Sequence, residues 1–227
     1  MEHSNEVYYS IREIIERHPS CLFGVADISY SDYYSQYKCA LVIAVAHKKI
    51  MTKDNYIEEE LEELICEARK ECDEIISNVA VFCRKNNIDY HIPPMVQKSE
   101  KSLIAPFSYK FAAVNAGLGW IGKNDLLITE KYGPRVRLSA ILIDFDLPTG
   151  KPIKHSKCDD NCIYCVEACP YNYIRGVCWD INKYRDELID YHSCNAKRSL
   201  FLKKHGRKNA CGLCMVSCPS GHTTWKI

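Results

Sequence analysis

Fourteen cysteines stand among the 227 residues, and nine of them fall after residue 157, most at ligand spacing. Cys158-x3-Cys162-x2-Cys165-x3-Cys169-Pro170 is the densest run, and Cys211-x2-Cys214-x3-Cys218-Pro219 repeats its second half. Closely spaced cysteines let one loop wrap three corners of an iron–sulfur cubane, while the cysteine before proline reaches the neighbouring cluster. The second run supplies only three thiolates, so its cluster needs a fourth from upstream. Cys194 is the first choice and Cys178 the second. The pattern thus assigns Cys158, Cys162, Cys165 and Cys218 to one [4Fe–4S] cluster, and Cys194, Cys211, Cys214 and Cys169 to another. Structural zinc is the competing use of paired cysteines; two C-x3-C-P endings and eight available thiolates favour iron–sulfur. The remaining five, Cys21, Cys39, Cys66, Cys72 and Cys83, lie in apolar or helical stretches and read as small buried hydrophobes.

A second pattern is Gly117-Leu118-Gly119-Trp120-Ile121-Gly122-Lys123-Asn124. Its glycines satisfy a dinucleotide fingerprint, with Asp144 near the place of a ribose-binding acid, and the run through Lys123 spells most of a phosphate loop. Both motifs need a strand before the glycines and a helix after them, so that helix N-terminal amides face phosphate. Here a helical segment precedes and a β run follows, and Asn124 stands where a magnesium-binding hydroxyl belongs. The glycines read instead as a turn against which another chain segment, or a flat cofactor, packs closely.

The elements that must position these residues are legible in the hydropathy. Asn5 to His18 has helical spacing and ends at Pro19; Cys21–Val25 and Cys39–Ala46 are β-like; Ser29 to Tyr37 is helix or loop. Asn55 to Asn86 holds neither Gly nor Pro, and Ile57, Leu61, Leu64, Ile65, Ala68, Cys72, Ile75, Ile76 and Val79 draw one apolar face. Asn55 with Glu58 forms a capping box, acid loads the first turns, and Arg84 and Lys85 close the other end. Phe107 to Asn115 is helical, and Leu126–Thr129 and Val136–Asp144 form a β pair about a turn at Gly133-Pro134. The expected fold is an α/β layer domain over residues 1–150, a linker at Pro148–Lys154, and a small α+β, ferredoxin-like two-cluster domain over 151–227.

Composition narrows the function classes. Hydrophobic residues are 47% of the chain and charged residues 26%, which excludes disorder. Thirty basic and 29 acidic side chains leave a net charge of +1, giving no general attraction to nucleic acid or membrane. The apolar run at Ala40–Ala46 is far shorter than the roughly 18 residues of a membrane helix. The start, Met1-Glu2-His3-Ser4-Asn5, lacks signal-peptide character, so a cytoplasmic protein is expected. One local exception to neutrality is the basic stretch of Lys197, Arg198, Lys203, Lys204, Arg207 and Lys208, either a solvated helix face or a docking patch for RNA or an acidic electron donor.

Ala116 through Asn124 followed by the two cysteine runs resembles the epoxyqueuosine reductases, cobalamin and iron–sulfur enzymes of tRNA modification. Tyr132-Gly133-Pro134-Arg135-Val136-Arg137-Leu138 with Asp144 and Leu147 is similar to the corrinoid reductive dehalogenases. The resemblance runs from about residue 105 to 222. It implies a base-off corrinoid against the glycine turn, with Gly117, Gly119, Trp120, Lys123 and Asn124 as its binding residues. It also implies a reductive reaction supplied by a low-potential donor such as ferredoxin or flavodoxin. The alternative is a non-catalytic electron carrier or a corrinoid-reducing activator. The substrate class stays open between a small molecule and a nucleic acid. The reductases' acidic proton donor falls, by ungapped count, on Leu103, with Glu100 out of register, so inefficient conversion of epoxyqueuosine is expected. The dehalogenases use a tyrosine; Tyr109 is of that type, in the same neighbourhood, but without a matched position.

Overall fold

A computed structural model describes residues 2–95, 103–200 and 211–221. The chain divides into two compact units that interleave along the sequence. One comprises Met1–Ala46, Glu67–Leu118 and Val136–Ile153; the other comprises His47–Cys66, Gly119–Arg135 and Lys154–Ile227. The step from Ile153 to Lys154 falls inside the Pro148–Lys154 stretch, while residues 47–66 and 119–135 group with the cysteine-rich residues.

The first unit contains α1 (Glu2–Glu16), β1 (Cys21–Asp27), β2 (Cys39–Ala46), most of α2 (Glu58–Lys85), β3 (Tyr90–His91), α3 (Tyr109–Asn115) and a strand at Val136–Ile143. That last strand, β6 in chain order, pairs with β2 and β3 to give a sheet ordered β1-β2-β6-β3, antiparallel throughout. All eight residues of β2 are buried, because its apolar run is covered on both faces. Leu41, Ile43 and Val45 meet Ile11 and Ile15 of α1 and Ile75 and Val79 of α2 in one core. On the opposite face α3 lies across β1 and β2. Gly24 permits this approach, since a Cβ there would stand 2.9 Å from the Ala116 carbonyl. Burial of each large aliphatic side chain stabilises the unit by about 1.5–3 kcal/mol.

The mixed α/β character is as expected, and several local expectations are corrected. Leu127–Ile128 does not pair with Val136–Ile143: it is β5 of a two-stranded hairpin with β4 (Trp120–Ile121). Gly133 instead bridges back to Thr129. Asn55 belongs to a capping box one turn earlier than expected, as the N3 partner of Thr52. The Asn55 side-chain oxygen Oδ1 accepts from the Thr52 amide at 2.6 Å, capping a 3-10 turn over Lys53–Asn55, and α2 begins only at Glu58. Ile57, counted on the apolar face, precedes the helix and is 54% exposed.

The second unit carries the β4–β5 hairpin, the start of α2, and four short helices: α4 (Tyr164–Glu167), α5 (Arg185–Leu188), α6 (Tyr191–Ser199) and α7 (Leu213–Val216). Leu61, Leu64 and Ile65 pack on Met215 and Val216 in one small core, and Cys165, Ile174 and Ile189 form another. The basic stretch from Lys203 to Lys208 and the alternative acid Glu100 lie outside the described residues. Among the described residues no helix is long and apolar enough to cross a membrane.

Candidate metal centre

Each cysteine run places its middle thiol on a single helical turn. Cys165 sits on α4 and Cys214 on α7, and the two helices pack against each other. Cys194 comes from the middle of α6, capped by Asp190, whose carboxylate accepts from the Ser193 amide at 3.0 Å. Cys169, Cys194, Cys211 and Cys214 all line one cavity of about 160 Å³, together with Tyr171, Ile174, Lys197 and Arg198. The cysteine that closes the first run therefore stands with the second run. Cys178, the second choice for the upstream thiolate, lies elsewhere: its thiol donates to the Cys158 carbonyl at 3.7 Å and to an Asp160 carboxylate oxygen at 3.5 Å.

Neighbouring thiols add to the effect of burial at Cys165 and Cys214. Burial, then the neighbouring thiols of Cys218, Cys158 and Cys162, push Cys165 up to about 12. Burial pushes the Cys214 thiol up as well, reinforced by Cys211, Cys165, Cys194 and Cys169. Among the described residues no three His, Cys, Asp or Glu side chains converge closely enough to hold a single ion. The second set surrounds a cavity instead.

Four side chains outside the cysteine runs clamp their loops. The buried Lys123 ammonium donates to the carbonyls of Asp159 at 3.0 Å, Asp160 at 2.8 Å and Cys162 at 3.0 Å. Asn124 donates through Nδ2 to the Cys214 carbonyl at 3.1 Å, and its own carbonyl oxygen accepts from the Leu126 amide at 3.2 Å. Arg135 donates to the Ser220 carbonyl at 2.6 Å, and Tyr56 to the Cys211 carbonyl at 2.7 Å. Lys123 and Asn124 sit at the tip of the β4–β5 hairpin, whose turn is closed by the Gly122 amide on the Leu126 carbonyl. That tip is buried, with Lys123 3% and Asn124 4% exposed.

The family resemblance implies a corrinoid at Lys123 and Asn124; their polar atoms lie on the cysteine loops. The glycines of the motif likewise meet protein. A Cβ on Gly119 would stand 2.1 Å from the Ile128 carbonyl across the hairpin. Gly117, at φ +76°, would bring one within 2.8 Å of the Lys151 carbonyl. With α3 before the glycines and a hairpin after them, the strand–glycine–helix order that both nucleotide patterns need is not found at the motif. Trp120 is different: its ring is 6% exposed, and its indole N–H finds no hydrogen-bond partner among the described residues. Leu103 is a buried leucine at φ 52°, and Tyr109 donates from its hydroxyl to the Pro93 carbonyl.

Tyr56 and Arg135 had no signal as clamps, since neither stands near a cysteine in sequence. Of the five remaining cysteines, Cys39, Cys72 and Cys83 are buried as expected, whereas Cys21 and Cys66 are only half-buried. Burial pushes Cys39 and Cys72 up to about 12 and Cys83 to about 11, which keeps them protonated and unreactive.

No protein-family model matches the chain. It is 31% identical over 142 residues to a tetrachloroethene reductive dehalogenase of Dehalobacter restrictus, a match covering 61% of this chain and 23% of that protein. It is 34% identical over 120 residues to an epoxyqueuosine reductase of Gloeobacter violaceus, covering 50% of this chain and 36% of the relative. The chain thus spans well under half the length of these relatives. Among solved structures, an epoxyqueuosine reductase of Bacillus subtilis superposes with a TM-score of 0.59 at 18% identity, over 96% of this chain and 66% of that one. A catabolic reductive dehalogenase bound to 3-bromo-4-hydroxybenzoic acid superposes with a TM-score of 0.60 over 88% of this chain and 30% of its own. The resemblance found in the glycine and cysteine motifs holds on both sides, and the chain's homologues are the epoxyqueuosine reductases and the reductive dehalogenases.

Proposed function

We propose that the chain is an iron–sulfur reductase, with Cys158, Cys162, Cys165 and Cys218 holding one [4Fe–4S] cluster and Cys169, Cys194, Cys211 and Cys214 a second, both serving a reduction at a corrinoid. The observation that carries this reading is the gathering of Cys169, from the first run, with three cysteines of the second set around one cavity. Bound there, the clusters and corrinoid would supply low-potential electron transfer that side chains lack. The protein's part is to hold the thiolates on fixed turns, keep water from them, and fix their loops through Lys123, Asn124, Arg135 and Tyr56. A solved relative is described as performing B12-dependent dehalogenation, which supports the corrinoid. Of the five residues assigned to it here, Trp120 alone offers an unpartnered buried donor. A soluble ferredoxin or flavodoxin in the cytoplasm is the proposed electron source.

One observation favours a second reading, that of an activator delivering electrons to a corrinoid on another enzyme. Leu103, where ungapped counting places the reductases' proton donor, is a buried apolar residue. General acid help is worth about 10²–10⁴-fold in rate.

Anaerobic production, iron and sulfide analysis and an absorbance titration with cobalamin test both readings. The expected result is about 8 iron and 8 sulfide per chain, as two cubanes require, with a base-off corrinoid spectrum. Zinc without sulfide contradicts the clusters; clusters with an unchanged cobalamin spectrum favour the activator. Robust turnover of epoxyqueuosine tRNA that Glu100→Gln abolishes would place the acid at Glu100.

A further inference from the structure

The clamps differ in charge, and the difference follows the two cysteine sets. Lys123 and Arg135 both serve the set of Cys158, Cys162, Cys165 and Cys218. Lys123 holds the Asp159, Asp160 and Cys162 carbonyls, and Arg135 reaches the carbonyls of Cys218 at 3.5 Å and Ser220 at 2.6 Å. Each of the two is 3% exposed. The carboxylates of Asp159 and Asp160 are solvent-exposed and engaged elsewhere, with the Asn161 amide at 2.7 Å and the Cys178 thiol at 3.5 Å. The other set is held by neutral donors, the Asn124 amide and the Tyr56 hydroxyl. Lys197 and Arg198 also line that set's cavity, but both are only half-buried. Solvent and salt screen a charge at Arg198 far more than one at Lys123.

A cluster gains negative charge on reduction, so a buried cation stabilises its reduced form. We infer that Lys123 and Arg135 are positioning residues that also make the Cys158–Cys162–Cys165–Cys218 cluster the stronger electron acceptor, so that electrons entering at the Cys169 set pass on and collect at the Cys158 set. The step is one electron passing from the reduced cluster of the Cys169 set to the oxidised cluster of the other; no bond is made and no proton moves. This rests on the two-cluster reading.

The test is an EPR-monitored redox titration of the full chain, purified anaerobically, as wild type, Lys123→Gln and Lys123→Arg. The wild type is expected to show two midpoint potentials. In Lys123→Gln the higher one falls and the lower stays, with iron content unchanged, and Lys123→Arg restores it. A purely structural role would change iron content and leave the potential alone. Coincident wild-type potentials, an unmoved higher potential, or a shift confined to the lower one would overturn the inference. Should Lys123→Gln lose half its iron, Arg135→Gln reads the same potential, and an unmoved value there overturns it. Wild-type protein without iron or sulfide would instead contradict the cluster reading itself.

Discussion

The two units solve the problem of burial in opposite ways. Met1–Ala46, Glu67–Leu118 and Val136–Ile153 enclose an aliphatic core, with Ser139 as the only buried polar residue described there. His47, Glu62, Lys123, Asn124, Asp125, Thr129, Arg135 and Asn195 are all buried in the other unit. Burying a polar group is costly unless it is hydrogen-bonded. Three of these residues are bonded to cysteine-loop carbonyls: Lys123, Asn124 and Arg135. The difference teaches that one unit is held by apolar packing, whereas the other adds buried polar clamps on its cysteine loops to its smaller apolar cores.

That contrast can be broken experimentally, and the largest effect should come from removing iron and sulfide. Hydrogen exchange is expected to rise sharply across Cys158–Cys169 and Cys211–Cys218 while β2 and β6 stay protected, because metal binding and folding are linked where ligands shape the structure. Equal loss of protection in both units would erase the distinction. Next in size, Ile75→Ala should cost about 2–5 kcal/mol through the cavity it leaves in the aliphatic core, read as a lower urea midpoint with iron content intact. Asn124→Ala should cost about 1–3 kcal/mol by leaving the Cys214 carbonyl unsatisfied, and here the loss should appear as slower or incomplete cluster assembly.

The smallest effect sharpens the account of the aliphatic unit. Burial raises Cys39 and Cys72 from 9.0 to about 12, so the folded state keeps protons that the unfolded chain releases. Their contribution is fully present below pH 9 and declines as pH rises from 9 towards 12. A melting curve in which Cys39→Ala flattens the decline above pH 9 would confirm this; an unaltered slope would exclude it.

What the sequence disclosed depended on range. Strand β2 occupies the expected Cys39–Ala46, because eight consecutive apolar residues have one sensible fate. The pairing of Cys39 with Ile143 was not legible, since strand partners a hundred residues apart leave no periodic trace. Cysteine spacing carried the grouping of Cys169 with Cys211 and Cys214, and chain order favoured Cys194 over Cys178. The clamps were hidden for a different reason. Lys123, Asn124 and Asp125 form a polar tip between apolar strands, and such a tip ordinarily faces water. Only the packing of Cys158–Cys162 and Cys214 over it makes it an interior.

The crossed arrangement of the cysteines is tested most directly by Mössbauer spectroscopy and iron analysis of Cys169→Ala beside the wild type. The expected wild type holds about 8 iron in two cubanes. In Cys169→Ala the cluster shared with Cys194, Cys211 and Cys214 is lost or degraded, while that of Cys158, Cys162, Cys165 and Cys218 keeps its spectrum. Loss of the Cys158 cluster alone, with the other intact, would contradict the arrangement.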